Sequence, residues 1–214
     1  MDSSEIERRV GEYYSGRIAE HGTTARGVDW NSEASQRVRF DQLLAAAPRG
    51  GGDFSLNDFG CGYGALLEYL DEQGRVVRYH GHDISEAMIA RAREAHGGRQ
   101  DVSFGTDPSD IPVADVTVAS GIFNVLAGSE EATWPDYVRS TLRSLAERSR
   151  SAIAFNMLTS YSDPEYMTER LHYADPREVF DWCKRELSPQ VALLHDYGLY
   201  EFTVIVRFEE KEAA

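Results

Sequence analysis

Apolar residues recur along this chain at two spacings, and the spacing switches in an ordered way. Ile6, Val10, Tyr13, Tyr14 and Ile18 fall three or four apart, which predicts an opening amphipathic helix. The stretch Gly22–Trp30 breaks that rhythm. Asn31 or Ser32 then caps a second helix, with Phe40, Leu43, Leu44 and Ala47 on one face and Pro48 and Gly50–Gly52 ending it. Strands and helices alternate from there. Phe54–Asp58 predicts a strand and Ala65–Leu70 the helix after it. Val76–Asp83 is a second strand, followed by a helix capped by Ser85 with Met88, Ile89 and Ala92 inward. Val102–Gly105 and Asp115–Ser120 are the next strands, and Tyr137–Leu145 is a helix presenting Val138, Leu142 and Leu145. Ala152–Asn156 is a fifth strand and Pro176–Leu187 a helix. Val191–His195 and Leu199–Phe208 are joined by Asp196-Tyr197-Gly198, too short for a crossover helix, so they form an antiparallel hairpin. The alternation implies a doubly wound α/β sheet, mostly parallel, with helices on both faces and an antiparallel last strand.

Composition narrows the setting. A chain of 214 residues with no internal repeat or linker is expected to be one domain. Within it, residues 1–50 form N-terminal helices that could act as a lid, 51–208 the α/β core, and 209–214 a fraying tail. No apolar run approaches the roughly 20 residues of a membrane-spanning helix, and the N-terminus has no signal-like apolar region, so a cytoplasmic location without membrane attachment is expected. With 22 Lys+Arg against 36 Asp+Glu, the net charge of −14 repels polyanions, which argues against nucleic acid and suits a small neutral or cationic ligand. Two cysteines, Cys61 and Cys183, offer neither a disulfide framework nor metal-ligand spacing, so no metal is expected. Monomer and homodimer stay equally open.

The segment richest in chemistry is Leu56-Asn57-Asp58-Phe59-Gly60-Cys61-Gly62-Tyr63-Gly64, at the turn from the first strand into a helix. Glycines there let the backbone fold tightly and approach a ligand that a Cβ would block. A second signal, Asp83, follows at the tip of the second strand, where an acid accepts hydrogen bonds from ribose hydroxyls. A dinucleotide site carries G-x-G-x-x-G, whereas this turn is G-x-G-x-G preceded by the acid Asp58. An anion repels a pyrophosphate but attracts an ammonium or sulfonium. A nicotinamide-dependent oxidoreductase is disfavoured on both counts.

These residues resemble the class I S-adenosylmethionine-dependent methyltransferases, over Phe54 to about Val125. Asp-Phe-Gly-Cys-Gly-Tyr-Gly is similar to that family's first motif, and Gly81-His82-Asp83-Ile84-Ser85-Glu86-Ala87-Met88-Ile89 to its second. The resemblance implies a Rossmann-like seven-stranded sheet, S-adenosylmethionine as methyl donor and S-adenosylhomocysteine as product. It implies that Asp58, Gly60, Cys61, Gly62 and Gly64 cradle the donor, that Asp83 binds the ribose hydroxyls, and that Ile84 and Met88 pack on adenine. Thr106-Asp107 matches the place where an acid meets the adenine amino group, and Ser120-Gly121-Ile122-Phe123-Asn124 the segment beside the reactive methyl. Alternatives stay open: Gly64 could serve helix packing alone, Met88 could be plain core, and Cys61 reads as a small buried residue. Asp107 and Asp110 could be loop acids, with Asp107 preferred for the adenine because it follows the strand directly.

Three segments could reach a methyl acceptor beyond the carboxyl ends of the strands. One is the N-terminal part, where Tyr14 or Trp30 encloses the sulfonium or else packs into the core. The second is Phe123-Asn124. The third is the long irregular stretch from Asn156 to Asp175, which includes Tyr173 and His172. His172 is the candidate general base, since it titrates near neutrality; His82 is expected on the far face of its strand. Trp182 reads as lying opposite its helix's buried side, where it either marks an interface or packs under the preceding loop. The expected activity is methyl transfer to an oxygen or nitrogen of a small molecule by in-line displacement. A non-catalytic scaffold of the same fold and a protein side-chain methyltransferase are the rival readings.

Overall fold

The computed structural model describes residues 3–28, 30, 32–48 and 52–209. Two helices come first, α1 (Ser3–His21) and α2 (Glu33–Leu44). Strands and helices then alternate: β1 (Phe54–Phe59), α3 (Ala65–Glu72), β2 (Val77–His82), α4 (Glu86–His96), β3 (Val102–Gly105), β4 (Ala114–Ala119), α5 (Trp134–Glu147), β5 (Ser149–Leu158) and α6 (Pro176–Glu186). The hairpin β6 (Gln190–Leu194) and β7 (Glu201–Arg207) follows. Among the described residues no helix is long and apolar enough to cross a membrane.

The seven strands form one sheet in the order β3-β2-β1-β4-β5-β7-β6. The first five pair in parallel, and β7 runs antiparallel to both β5 and β6. The sheet is thus doubly wound, with its order reversing between β1 and β4. The register sets Phe59 beside His82 and His82 beside Gly105, so β1, β2 and β3 end level. In such sheets the crevice beyond the strand ends at this reversal is where ligands bind.

Two cores explain why the helices sit where they do. Leu56, Tyr79, Val118 and Ala154 point to one face and pack under Phe40, Leu43 and Leu44 of α2 and Leu66, Leu67 and Leu70 of α3. Ile153, Phe155, Val204 and Val206 point to the other, against Ile6 and Val10 of α1, Trp134, Val138 and Leu142 of α5, and Cys183 of α6. Period-two alternation along β5 and β7 delivers both sets.

Between β3 and β4 stands only a short helical turn, Pro108–Asp110, instead of a helix. The sheet face beneath it is correspondingly polar. Asn57 donates from Nδ2 to the Pro112 carbonyl at 2.8 Å, His80 Nδ1 lies 2.9 Å from Ser103 Oγ, and Thr117 accepts from Ser149 Oγ at 2.7 Å.

Several element boundaries differ from expectation. Of the two candidate caps of α2, Ser32 accepts from Ser35 N–H at 3.1 Å; Asn31 lies outside the described residues, as do Asp29, Gly50, Gly51 and 210–214. The helix ends at Leu44, ahead of Pro48. α5 begins at Trp134, which is fully buried and donates its indole N–H to the Phe123 carbonyl at 2.9 Å. Of the two readings of Trp182, packing is the one found: it is half-buried against the second core, with the Arg143 guanidinium 5.3 Å above its ring.

Candidate functional site

β1 ends in Asp58-Phe59, and the chain then turns through Gly60, Cys61 and Gly62 before entering α3. Gly60 and Gly62 adopt φ of +83° and +55°, in the left-handed region. A Cβ at Gly60 would lie 2.2 Å from Cγ2 of Ile122, and one at Gly62 would lie 2.9 Å from Cγ1 of Val28. Gly60→Ala therefore combines backbone strain with a clash against a stiff β-branched side chain. It is expected to destabilise by roughly 2–5 kcal/mol, read as a lowered denaturation midpoint. The N–H groups of Gly60 and Cys61 both donate to the His82 carbonyl, at 2.7 and 3.0 Å, which ties the turn to the end of β2.

Asp83 follows His82. Its Oδ2 accepts from Gly62 N–H at 2.9 Å and its Oδ1 from Ser85 N–H at 2.8 Å, so one carboxylate joins the glycine turn to the start of α4. Ser85 Oγ caps that helix by accepting from Met88 N–H. Burial raises the Asp83 pKa to about 6, with the two backbone donors pulling the other way. Asp58, 3% exposed, accepts from Tyr79 Oη at 2.6 Å; burial, and then the Asp83 charge, push it to about 7. Two carboxylates thus share one pocket with no cation among their partners in the described residues. The Cys61 thiol beside them is raised well above its ordinary value by burial, which leaves it inert.

A cavity of about 930 Å³ opens over this cradle. Its floor is Asp58, Phe59, Gly60, Cys61 and Gly62, with Asp83, Ile84, Met88, Thr106 and Ser120 along one side. Tyr14, Val28, Trp30, Gln36 and Phe40 line it from the N-terminal helices and their connection, and Tyr137 from α5. Among the described residues, Glu7, Glu12 and Glu86 also line it with one cation, Arg8, whose guanidinium is taken up by Glu5 and Glu12. A site of this volume and lining can enclose a nucleoside-sized ligand with room left over.

Other anticipated residues are not brought to the cavity. Gly64, φ +92°, meets His96, so its small size serves the packing of α3 on the end of α4. Asp107 is exposed and caps the turn Pro108–Asp110 by accepting from Ser109 N–H and Oγ, while its neighbours Thr106 and Pro108 line the wall. Gly121 lies behind the wall, its N–H donated to Asn156 Oδ1 at 2.7 Å. Phe123 is fully buried against Phe155, and Asn124 Oδ1 accepts from Leu158 N–H.

His172 and Tyr173 lie on the far side of that segment. The stretch from Thr159 to Asp175 folds back on the β4 exit through bridges between Val125 and Leu171 and between Thr159 and Ala174. His172 donates its backbone N–H to the Asn124 carbonyl at 2.8 Å and sets its ring 6.4 Å from that of Trp134. Burial lowers its pKa. Tyr173 Oη accepts from Thr168 N–H at 3.1 Å.

His82 is the notable omission from the expected set. It does point to the opposite face from Asp83, but that face also borders the cavity, because no helix covers it between β3 and β4. Its ring stacks on Phe59 at 4.9 Å, and neither nitrogen has a hydrogen-bond partner. Burial lowers its pKa to about 4. The absence of helical periodicity between Thr106 and Val113 was the available signal.

Comparison with known proteins gives the family and agrees with the fold. A family described as "Methyltransferase domain" matches residues 57–150. A candidate methyltransferase of Mycobacterium tuberculosis, Rv1506c, is 50% identical over 154 residues, spanning 72% of this chain and 93% of that protein. The DhpI–SAH complex superposes with a TM-score of 0.60 at 16% identity, covering 94% of this chain and 95% of that one. The magnesium protoporphyrin IX methyltransferase ChlM from Synechocystis PCC 6803, with bound SAH, gives 0.60 at 14% identity, covering 97% and 100%.

Proposed function

This chain belongs to the class I S-adenosylmethionine-dependent methyltransferase family, and from that premise we propose that it methylates an oxygen or nitrogen of a small neutral or cationic molecule by in-line displacement. The observation that carries the donor assignment is the Asp83 carboxylate at the tip of β2, held by two backbone N–H groups beside the glycine turn. A carboxylate has about four lone-pair directions, and two remain for ribose hydroxyls. The donor also fits the charge of the cradle, since its positive end would compensate Asp58, which has no cation among its partners in the described residues. Bound S-adenosylmethionine supplies a methyl group already activated by its sulfonium.

The chain's own residues then have defined tasks. Asp58 offers negative charge to the donor's cationic end, and Ile84 and Met88 offer apolar surface to its base. Tyr14 and Trp30 form an aromatic wall, suited to a positive centre through its ring faces. Alignment and exclusion of water supply most of the barrier reduction in such a displacement, and the segment before β1 would serve them as a lid. On the acceptor side the lining is acidic, with Arg8 neutralised, which supports a neutral or cationic acceptor over a phosphate or carboxylate.

A general base is worth about 10²–10⁴-fold, and His172, directed into the β4 exit, is not expected to act as one. His172→Ala should keep turnover within about threefold of native on whatever acceptor is found; a loss of a hundredfold or more would return the base to that position. The whole reading is tested by calorimetric titration with S-adenosylmethionine, S-adenosylhomocysteine and NADH in parallel. Micromolar binding of the two sulfur compounds and none of NADH is expected. A folded protein that binds neither sulfur compound would overturn it.

A further inference from the structure

Behind the cavity wall lies a buried ion pair that joins distant parts of the chain. Arg39 on α2 donates from Nε to Glu201 Oε2 at 2.8 Å and from a terminal nitrogen to Oε1 at 2.5 Å; the two side chains are 6% and 1% exposed. Glu201, at the start of β7, also accepts from Asn156 Nδ2 at 2.7 Å. Asn156 in turn accepts the N–H of Gly121, fixing the turn that carries Ser120 and Ile122 into the cavity. On its other side, the Arg39 guanidinium lies 3.9 Å from the centre of the Trp30 ring. Trp30 closes the circuit on Gly121, where a Cβ would sit 2.2 Å from Cη2 of the indole. Two walls of the cavity, Trp30 and the Ser120–Ile122 turn, are therefore fastened to one pair of charges.

A buried ion pair is a poor way to gain stability, because dehydrating both ions offsets most of their attraction. Its use here is geometric. A guanidinium is flat, so its edge can hold a carboxylate while its face holds an aromatic ring, which an ammonium cannot do. Glycine at 121 is required for the same reason: with φ of +71° and an indole against its α-carbon, no side chain fits.

We propose that Arg39 and Glu201 are positioning residues that hold Trp30 and the Gly121 turn together as a pre-formed wall of the methyl-donor site. What the wall encloses rests on the methyltransferase reading; whether the wall is held does not.

The test uses two variants and two readouts in a Trp182→Phe background. There Trp30 is the tryptophan within reach of a quencher, since Trp134 is fully buried. Arg39→Lys keeps a positive charge opposite Glu201 but loses the flat face over the indole. It is expected to raise acrylamide quenching about twofold and weaken S-adenosylmethionine binding about tenfold, with the denaturation midpoint within about 5 °C. Arg39→Met combined with Glu201→Gln removes both charges without stranding either, and is expected to give the same two losses. Native quenching and native affinity in the Arg39→Lys protein would overturn the proposal, whether or not the double variant folds. Should the parent protein fail to bind S-adenosylmethionine, the quenching arm still decides whether the wall is held, and the donor reading alone falls.

Discussion

Asp83→Ala is expected to weaken S-adenosylmethionine binding by at least about tenfold, and more nearly a hundredfold, because each hydrogen bond to a charged acceptor is worth roughly 1.5–3 kcal/mol. Two such bonds to ribose hydroxyls are at stake, together with the placement of the glycine turn through Gly62 N–H. The fold should survive. The substitution frees the N–H groups of Gly62 and Ser85, but it also removes a carboxylate that burial holds at a raised pKa, so two opposed effects leave the denaturation midpoint close to native. Asparagine would be a worse test, since its amide nitrogen would confront one of those two N–H donors. Calorimetric titration measures the effect, and an affinity equal to the native protein's would remove Asp83 from the donor site.

The cradle was legible in the sequence because its parts are contiguous. Asp58, the glycines and Asp83 lie within two adjacent β-α units, and strand-turn-helix spacing alone brings them to one crevice. The strand directions followed from the same logic, since helical connections make parallel strands and the three residues Asp196–Gly198 cannot; the order that sets β4 beside β1 is fixed by the fold. What escaped comes from elements far apart in the chain or from segments with no period. Arg39 and Glu201 are separated by 162 positions, and no spacing announces that they meet.

Irregular stretches misled in both directions. The residues after β5 looked like a substrate loop because they are long, polar and aromatic. In the fold their backbone is spent bridging Val125 and the end of β5, which carries His172 and Tyr173 away from the cavity. The segment after β3 looked like an ordinary connection to an adenine-binding acid. Its lack of a helix instead leaves Asp107 capping a surface turn and uncovers the sheet face from which His82 and Phe59 border the site. The start of α5 was also legible locally, since Pro135 marks its first turn, one residue after the fully buried Trp134.

Binding should also depend on pH, with affinity rising as the solution is taken from about pH 5.5 to about 7.5, a range chosen to stay below the titration of a free α-amino group at about 7.7–8.0. Without ligand, burial holds the Asp58 proton up to about 7, and a cation placed beside it favours the ionised form. Below that pH the ligand must expel a proton, so affinity falls about tenfold per unit until the carboxyl's pKa in the complex is reached. Asp83, at about 6, adds a second proton at the lower end of the range. Titration in two buffers of different ionisation enthalpy should register proton release near pH 6.5, within about half a unit of the Asp58 value. Asp58→Asn should bind more weakly at the upper pH and lose most of that release, leaving the part that belongs to Asp83.

The unliganded protein should respond in the opposite sense over part of the range. A carboxyl whose pKa is raised on folding contributes stability at low pH that is lost as pH climbs from 3.8 through about 7. His82 acts the other way, since its pKa is lowered from 6.5 to about 4 and stability is lost as pH falls through that window. The free protein's denaturation midpoint is thus pulled in opposite directions by neighbours in one cavity, whereas the ligand-induced rise in midpoint should grow steadily with pH. A ligand-induced rise that stayed flat across the range, in protein shown to bind, would mean that binding expels no proton from Asp58 and would remove the coupling between that proton and the donor's positive charge.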